Sequence, residues 1–294
     1  MLRWYGAHGR TTLPWRASRD PYRIAVSEFM LQQTQVDRVA PAYEAFMERY
    51  PSFAALAAAS RADVVRSWKG LGYNLRAVRL HELAIAVVSH HGGKLPSERD
   101  ALRALSGIGP YTAAAIRAFA FELDDVAIDV NVRRVMHRLL FGLEHPPKAS
   151  AAQLDSAAHR LLPKGRAHAW NSALMDLGAT ICTARAPKCG ACPVRATCAA
   201  SPHGSVQIAA ATRAKLSLMR QGPQARLPFT QTRRYVRGRI LDRLRELAPG
   251  AVFSPADLVA ALNGAQERYP LDEILDGMER DGLVVRERSG IRLR

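Results

Sequence analysis

The spacing of apolar residues predicts helices through the first 200 residues of the chain. Apolar positions recur at helical intervals, and almost no alternating strand pattern occurs before residue 280. We therefore expect an all-α fold over this part of the chain. The predicted elements are a short helix from Trp4 that Pro14 ends, two helices within 21–50 that meet near Pro41, and helices over 52–68, 76–91, 97–105, 111–121, 131–141, 151–162 and 167–180.

The pattern changes after residue 200. Residues 201–229 contain Pro, Gly, Gln and scattered basic residues without clear periodicity, so we interpret them as a linker. Three helices are predicted over 235–247, 255–262 and 271–281, and a β-hairpin over 283–293. This is the order of a winged helix, a module that binds DNA, contacts proteins or packs passively.

A Gly-Ile-Gly turn between two predicted helices is a candidate binding element. Gly107 and Gly109 permit a tight turn, and the helix that starts at Pro110 presents unpaired N–H groups. Such a helix–hairpin–helix element can bind a phosphate. An ordinary turn between two helices has the same pattern.

Two carboxylates occur in apolar surroundings, where an unpaired charge is unfavourable. Glu28 precedes Phe29 and Met30, and Asp129 follows an apolar segment just before a predicted helix. Burial raises the pKa of a carboxylic acid and suits it to proton donation near neutral pH. On the pattern alone, a solvated helix face accounts for Glu28 equally well, and a helix N-cap accounts for Asp129.

The charge balance adds a class of partner. The 294-residue chain has a formal net charge of +16, and a folded protein this basic usually binds a polyanion, with nucleic acid the leading candidate. A basic solvated surface is the alternative. No run approaches about 18 apolar residues and no signal peptide is evident, so we expect a cytoplasmic protein.

All four cysteines lie within a span of 17 residues, at Cys182, Cys189, Cys192 and Cys198. In a reducing compartment such a cluster indicates metal binding, and four thiolates can hold a zinc ion or an iron–sulfur cluster. Zinc knuckles usually have two C-x-x-C pairs, whereas this spacing contains one.

Several longer motifs occur in a fixed order: LPWR at 13–16, SEFMLQQTQV at 27–36, GLGY at 70–73, GIGPYT at 107–112, IDVNV at 128–132 and MDLGA at 175–179. With the cysteines, they make residues 1–200 resemble the helix–hairpin–helix DNA glycosylases of the endonuclease III superfamily, and within it the adenine-specific mismatch (MutY-like) branch. The resemblance implies a [4Fe–4S] cluster on the four cysteines. It also implies a monomer that binds double-stranded DNA containing a mismatched or damaged base pair, associated with a bacterial nucleoid.

The resemblance also implies a division of the chain. Residues 1–200 would form the glycosylase region, with a six-helix subdomain over about 20–130 and a cluster subdomain from 1–19 and 131–200. Residues 201–229 would be the linker, and 230–294 the winged-helix-like domain, in place of the Nudix-like domain that usually inspects 8-oxoguanine.

The roles of individual residues follow from the same resemblance. Glu28 would protonate the leaving purine, and Asp129 would stabilise the cationic sugar, as in glycoside hydrolysis. Asn131 and Tyr111 would support Asp129 and the sugar. The remaining candidates would line the base pocket (Trp15, Arg16, Gln33), fill the gap and read the opposite base (Gln32, Gln33, Thr34, Gln35, Leu71, Tyr73), or form the DNA-binding hairpin (Gly107, Gly109, Thr112).

The resemblance predicts a monofunctional glycosylase, because Tyr111 occupies the position of the Schiff-base lysine in bifunctional members. The expected activity is excision of adenine opposite 8-oxoguanine or guanine in base excision repair. Ser172 follows Asn171 where the family often has Glu or Gln, which could loosen selectivity for adenine. A thymine/uracil mismatch glycosylase of the same fold and a non-catalytic DNA-binding protein are the alternatives.

Overall fold

The computed structural model describes residues 1–143, 147–220, 227–262 and 269–294. These ranges are mostly helical, which confirms the predicted fold class. None of their helices is long and apolar enough to cross a membrane. The helices are α1 Leu2–His8, α2 Pro21–Leu31, α3 Val36–Arg49, α4 Phe53–Ala58, α5 Arg61–Ser67, α6 Leu75–His91, α7 Arg99–Arg103, α8 Pro110–Phe119, α9 Val130–Phe141, α10 Ala151–Leu161, α11 Ala167–Thr180, α12 Gly204–Arg220, α13 Arg233–Glu246, α14 Pro255–Leu262 and α15 Leu271–Arg280.

Two predicted helix boundaries were wrong. Pro41 lies inside α3, and the helix junction falls at 32–35, where Gln33 has a left-handed φ of 56°. A proline at the sixth position of a helix removes one backbone hydrogen bond, and the burial of Val39, Tyr43, Phe46 and Met47 on the same helix compensates for this loss. The predicted helix over 52–68 is two helices, because Ser60 begins α5 with a side-chain cap on the Asp63 N–H.

The linker predicted over 201–229 was wrong for residues 204–220, which form α12. This helix buries Ile208, Ala209 and Thr212. Arg138 donates a hydrogen bond to Thr212 Oγ1 at 3.1 Å. The segment is helical because tertiary packing compensates for its weak pattern of apolar positions.

The chain divides into two compact units, each built from separated segments. Unit 1 comprises Met1–Ala25, Ser97–Ala104 and Ile108–Gln224, and unit 2 comprises Val26–Pro96, Leu105–Gly107 and Ala225–Arg294. The predicted six-helix subdomain therefore contributes to both units. The C-terminal module shares a unit with residues 26–96.

The core of unit 1 lies where α9, α10 and α11 pack together. It contains Val132, Val135, Met136, Leu154, Leu174 and Leu177, all nearly inaccessible to solvent. Gly178 on α11 allows close approach, because a Cβ there would lie 2.8 Å from the Cβ of Asn131 on α9. The interior of this unit therefore fixes the start of α9, where two candidate site residues lie.

Unit 2 joins α4, α5 and α6 to the C-terminal module. The module has the winged-helix order of α13, α14 and α15 followed by an antiparallel hairpin of β1 Val284–Glu287 and β2 Gly290–Leu293. Arg245 of α13 donates hydrogen bonds to the Val65 carbonyl at 3.2 Å and to Asn74 Oδ1 at 2.6 Å. The module is thus packed on residues 26–96, which belong to the same unit.

Candidate active site and cluster loop

Asp129 is held at the N-terminus of α9 by hydrogen bonds to both of its carboxylate oxygens. The Val132 N–H donates to Oδ1 at 2.7 Å, and the Asn131 side-chain amide donates to Oδ2 at 3.0 Å. The residue is half-buried, so part of the carboxylate faces solvent. Asp129 is therefore a helix cap, and its rotamer is fixed by the cap and by the amide of Asn131.

A chain of hydrogen bonds continues from Asn131 to the cysteine loop. Arg134 donates to Asn131 Oδ1 at 2.9 Å, to the Gly178 carbonyl at 2.7 Å and to the Cys182 carbonyl at 2.8 Å. The orientation of the Asn131 amide is therefore coupled to the backbone at the first cysteine. Arg134 was not predicted as a site residue, because α9 also contains Arg133, His137 and Arg138 and the sequence does not show which of these basic residues contacts Asn131.

The segment that leads into Asp129 is fixed by two other buried polar residues. Asn171 accepts a hydrogen bond from the Ala127 N–H and donates to the Asp125 carbonyl, each at 2.8 Å. Asp125 is fully buried and binds Arg99 at 2.8 Å and Arg117 at 2.9 Å. These contacts give the backbone before Asp129 a single conformation.

Arg16, a predicted base-pocket residue, is anchored at one side of its guanidinium. Its Nη2 contacts Asp176 Oδ1 at 3.1 Å, and Asp176 also binds Arg10. Its other terminal nitrogen, Nη1, is buried and has no hydrogen-bond partner among the described residues. Ser172 Oγ is likewise buried without a partner in the described part of unit 1.

Trp15 is buried next to Arg16 in the sequence, with 5% of its surface exposed. Its indole is therefore part of the buried core, and its place in a base pocket stays a prediction. Gln33, the third residue predicted for this pocket, is exposed and belongs to unit 2.

The helix–hairpin–helix turn requires glycine at its first position. Gly107 has a φ of 77°, and a Cβ there would lie 2.6 Å from the ring of Phe29. Gly109 precedes Pro110 at the start of α8, and a Cβ added at Gly109 would meet no atom within 4 Å. Tyr111 and Thr112 follow in the first turn of α8, with Tyr111 half-buried and Thr112 buried.

Glu28 lies in the second half of α2 and is 6% exposed. Its neighbours Ser27, Phe29 and Met30 are also buried. The alternative of a solvated helix face is therefore wrong. Glu28 belongs to unit 2 and Asp129 to unit 1.

Arg76 was not predicted as a site residue, but it joins the two loops of unit 2 that are predicted to read the DNA, at 32–35 and 70–73. We call these the DNA-reading loops. The Arg76 guanidinium donates to the carbonyls of Phe29, Met30 and Gln32 at 2.6–2.8 Å, and to those of Leu71 and Gly72 at 3.1 and 2.9 Å. Burial lowers the pKa of Arg76 to about 10, which leaves it charged at neutral pH.

Thr34 connects the same two loops. Its hydroxyl donates to the Leu71 carbonyl at 3.2 Å and accepts from Arg76 at 2.9 Å. Of the predicted wedge residues, Leu71 is buried and Tyr73 is 37% exposed with a left-handed φ of 45°. In the free protein, Tyr73 is therefore the side chain that the 70–73 loop presents.

The four cysteines surround one small cavity in unit 1. Residues that share this cavity with them include Arg138, Arg195 and Ile208. Arg138 contacts Cys182 Sγ at 3.6 Å, and Cys198 Sγ donates to the Arg138 carbonyl at 3.3 Å. The described residues contain no compact group of three His, Cys, Asp or Glu side chains around a single-ion site, and the thiols instead enclose a space.

Burial raises the pKa of the Cys189, Cys192 and Cys198 thiols, and neighbouring cysteines act in the same direction. Iron binds the thiolate, so cluster assembly must remove these protons. Arg138 and Arg195 lower the pKa of Cys189 and would balance the negative charge of a bound cluster. A four-thiolate cavity with arginines around it fits an iron–sulfur cluster, which would tie the loop into one rigid element.

Comparison with known proteins agrees with this geometry. Residues 26–159 match the family described as HhH-GPD superfamily base excision DNA repair protein, and residues 182–198 match the iron–sulfur binding domain of endonuclease III. The chain thus contains the domain of a [4Fe–4S] cluster, and its four cysteines fit that cofactor.

Relatives and solved structures extend the similarity. The chain is 41% identical to adenine DNA glycosylase of Mycolicibacterium smegmatis, over 99% of this chain and 93% of the relative. It is 33% identical to a thermostable thymine-DNA glycosylase structure, with a TM-score of 0.63 over 69% of this chain and 93% of that one.

A trapped endonuclease III–DNA covalent intermediate shares the fold at 21% identity, with a TM-score of 0.59 over 69% of this chain and 92% of that one. The fold is therefore that of a DNA-binding glycosylase, and the C-terminal module lies within the match to the full-length relative. The chain belongs to the adenine DNA glycosylase family of helix–hairpin–helix base excision repair proteins.

Proposed function

We propose that this protein is a monofunctional DNA glycosylase that removes adenine mispaired with 8-oxoguanine or guanine during base excision repair. The observation that carries the proposal is Asp129, a half-buried carboxylate whose position is fixed by the Val132 N–H and the Asn131 amide. A group that must face a developing positive charge benefits from being held in place before the reaction. Membership in the adenine DNA glycosylase family supports the choice of base.

In the proposed reaction, the bond between C1′ of deoxyribose and N9 of adenine breaks, and water adds to C1′ with release of a proton that restores the protonated form of Glu28. Glu28 donates a proton to N7 of adenine, so that the base leaves as a neutral molecule. Its burial keeps the acid away from bulk solvent, which supports this role. Asp129 stabilises the positive charge that develops on the sugar, while Asn131 fixes its carboxylate and Tyr111 contacts the sugar.

We propose Trp15 and Arg16 as residues that bind the extrahelical base. The indole is 5% exposed and Nη1 of Arg16 is buried in the free protein, so this role requires both groups to become accessible when the base enters. Gln33 serves the same pocket by resemblance to the family. Gly107, Gly109 and Thr112 at the hairpin bind a phosphate of the DNA strand.

Substitution of the two carboxylates tests the proposal. Asp129→Asn retains a capping side chain and Glu28→Gln retains its size, so both proteins should fold and bind duplex. We expect each to lower single-turnover adenine release by at least roughly 100-fold while duplex affinity changes little. Asp100→Asn, at an exposed acid in the first turn of α7, is the matched control. Adenine release at the normal rate by either active-site variant would contradict the assignment.

The monofunctional class has its own test. A tyrosine at position 111 cannot form a Schiff base, so borohydride should trap no covalent protein–DNA product during base release. Tyr111→Lys is the comparison variant, because it tests whether a lysine at this position produces a trapped product. Efficient trapping by the wild-type protein would show that another amine forms the intermediate.

A thymine/uracil mismatch glycosylase is the second candidate, because the thymine-DNA glycosylase structure is 33% identical to this chain. The panel that separates the two contains adenine opposite 8-oxoguanine, adenine opposite guanine, thymine opposite guanine and uracil opposite guanine. Release of adenine supports the proposal, and release of pyrimidines alone supports the second candidate. Duplex binding with no release from any of them would support the non-catalytic alternative.

We also propose that the protein acts as a monomer on mismatched double-stranded DNA in the bacterial nucleoid. The support is its membership in a family of DNA repair enzymes with bacterial representatives and its net charge of +16.

A further inference from the structure

A large cavity of unit 2 is bounded in part by the C-terminal module. Its volume is about 960 Å³, and three stretches of chain line most of it. They are the amide-rich turn at 32–35, the loop at 70–75, and α13, which contributes Arg234, Arg237, Gly238, Leu241, Asp242 and Arg245. The module thus forms one wall of the cavity whose other walls are the two predicted DNA-reading loops.

Most of the arginines along this cavity are already engaged within unit 2. Arg76 binds backbone carbonyls, Arg237 pairs with Asp281, and Arg245 pairs with Asp242 at 3.0 Å. Arg234 is exposed, and in the parts of the chain that the structure describes it has no carboxylate within ion-pairing distance, unlike Arg237 and Arg245. Arg38, Arg76 and Arg79 share this property, and Arg234 is distinguished from them by its close contact with the exposed side chain of Tyr73.

Arg234 is nevertheless held in a defined position. Its guanidinium lies 3.7 Å from the centroid of the Tyr73 ring, and its Nη1 donates to the Tyr73 hydroxyl at 2.7 Å. Tyr73 is fixed in turn by its left-handed backbone, and its carbonyl accepts a hydrogen bond from Arg76 Nε at 3.3 Å. A charged fork that is ordered before binding loses little conformational entropy when a ligand arrives.

The composition of the cavity specifies the chemistry of its ligand. An unneutralised guanidinium requires an acceptor, the glutamine amides at 32, 33 and 35 supply both donors and acceptors, and Tyr73 and Phe229 supply aromatic surface. A nucleobase with an acceptor-rich edge meets all three requirements. Arginine binds the O6 edge of guanine more often than any other base edge.

We propose that Arg234 is a specificity-determining residue that binds the O6 edge of the guanine-type base opposite the excised adenine. This inference rests on the proposed function and assigns a role to the C-terminal module. O6 is present in both guanine and 8-oxoguanine, so the contact serves either opposite base. Tyr73 positions the guanidinium and fills the space beside that base.

The test compares adenine opposite guanine with adenine opposite 2-aminopurine, which lacks O6. For the wild-type protein, we expect single-turnover release to favour guanine by roughly 5- to 100-fold. Arg234→Ala should reduce this preference to nearly 1, and Arg234→Lys should not restore it, because an ammonium lacks the planar group that lies on the Tyr73 ring and holds the donor in place. Arg239→Ala, on the same helix but outside the cavity lining, should retain the wild-type preference.

Two results would overturn the assignment. An equal loss of activity with both opposite bases, together with recovery in Arg234→Lys, would show that Arg234 binds a phosphate. An unchanged preference in Arg234→Ala would show that the residue does not contact the base. Thermal unfolding of each variant checks that the exposed substitution leaves the fold intact.

Failure of the proposed function gives a different result. In that case the wild-type protein releases adenine from neither duplex, and the same pairs are compared by binding affinity measured with fluorescence anisotropy. Loss of a guanine preference in Arg234→Ala would then still support the contact, and equal affinities of the wild-type protein for both duplexes would refute it.

Discussion

Asp129 shows how a local pattern can support two interpretations that are both compatible with one structure. The sequence left a helix cap and a catalytic carboxylate as alternatives, and the cap is present. The cap leaves the carboxylate half-buried and fixed, which is what an electrostatic role requires. The catalytic role remains our proposal, and it does not compete with the capping role.

Buried arginines mark the limit of prediction at the scale of residues. Arg76 could be identified as unusual, since it is a charge among apolar positions of α6, whereas Arg134 lies in a helix that contains three other basic residues. Their long-range carbonyl partners are 44 to 48 residues away in the chain, and these contacts depend on tertiary structure. Sequence therefore indicates that such residues need partners but not which elements they connect.

His168 gives a prediction about pH. Burial lowers its pKa to about 4, and the nearby guanidinium groups of Arg19 and Arg16 act in the same direction. In the unfolded chain this histidine takes up a proton near its ordinary pKa of 6.5, whereas in the folded protein it stays neutral down to about pH 4. Its contribution to the free energy of unfolding is therefore fully present above pH 6.5 and is lost as pH falls toward 4. Between about pH 7.5 and 5.5 we expect a loss of about 1 kcal/mol from this group.

His168→Gln should therefore make the melting temperature less sensitive to pH over that interval than it is in the wild-type protein. His90→Gln is the matched control, because His90 is exposed at the end of α6. If the melting temperatures of His168→Gln and the wild-type protein fall by the same amount over that pH interval, the neutral state of His168 does not contribute to stability.

At the scale of elements, the Gly-Ile-Gly turn is where sequence prediction was most informative. The two glycines and Pro110 predicted a turn followed by a helix, and α8 begins at Pro110. The sequence could not show that Gly107 packs against Phe29, which is adjacent to Glu28 in α2. The turn is therefore constrained by the same helix that carries the proposed acid.

Gly107→Ala should be more destabilising than an ordinary glycine substitution. The alanine would require a left-handed conformation and would place its Cβ 2.6 Å from the Phe29 ring. Gly93→Ala has nearly the same φ, 78° against 77°, but has no atom within 4 Å of the added Cβ. Denaturant unfolding should show about 1 kcal/mol for Gly93→Ala, from the backbone term alone, and at least about 2 kcal/mol for Gly107→Ala.

Equal destabilisation by the two substitutions would mean that the Phe29 ring moves aside without cost. In that case Gly107→Ala should also leave adenine release unchanged.

The loops and the segment after residue 200 show where pattern analysis was insufficient. The 70–73 loop was predicted from Gly70 and Gly72, but the burial of Leu71 and the exposure of Tyr73 depend on Arg76 and Thr34. Residues 204–220 form a helix because Ile208 and Ala209 find an apolar surface within unit 1. Both outcomes arise from contacts that are distant in the chain.

At the scale of the whole molecule, the net charge of +16 predicts strong electrostatic binding to DNA. Each phosphate neutralised by a basic residue releases counterions, so affinity for a duplex should fall at least roughly tenfold between about 50 and 200 mM salt. Anisotropy titrations over this range measure the slope. A nearly constant affinity would contradict binding dominated by phosphate contacts.

The two units are built from alternating segments of the chain, and this arrangement has a consequence for synthesis of the protein. The first 25 residues belong to a unit that continues to residue 224, and the contacts of Arg10 and Arg16 with Asp176 span more than 150 positions. At bacterial translation rates, the N-terminal segment would wait roughly 10–40 s on the ribosome before its partners emerge. Trp15 and Arg16 thus acquire their native surroundings late, and the nascent chain must keep this apolar segment from aggregating until then.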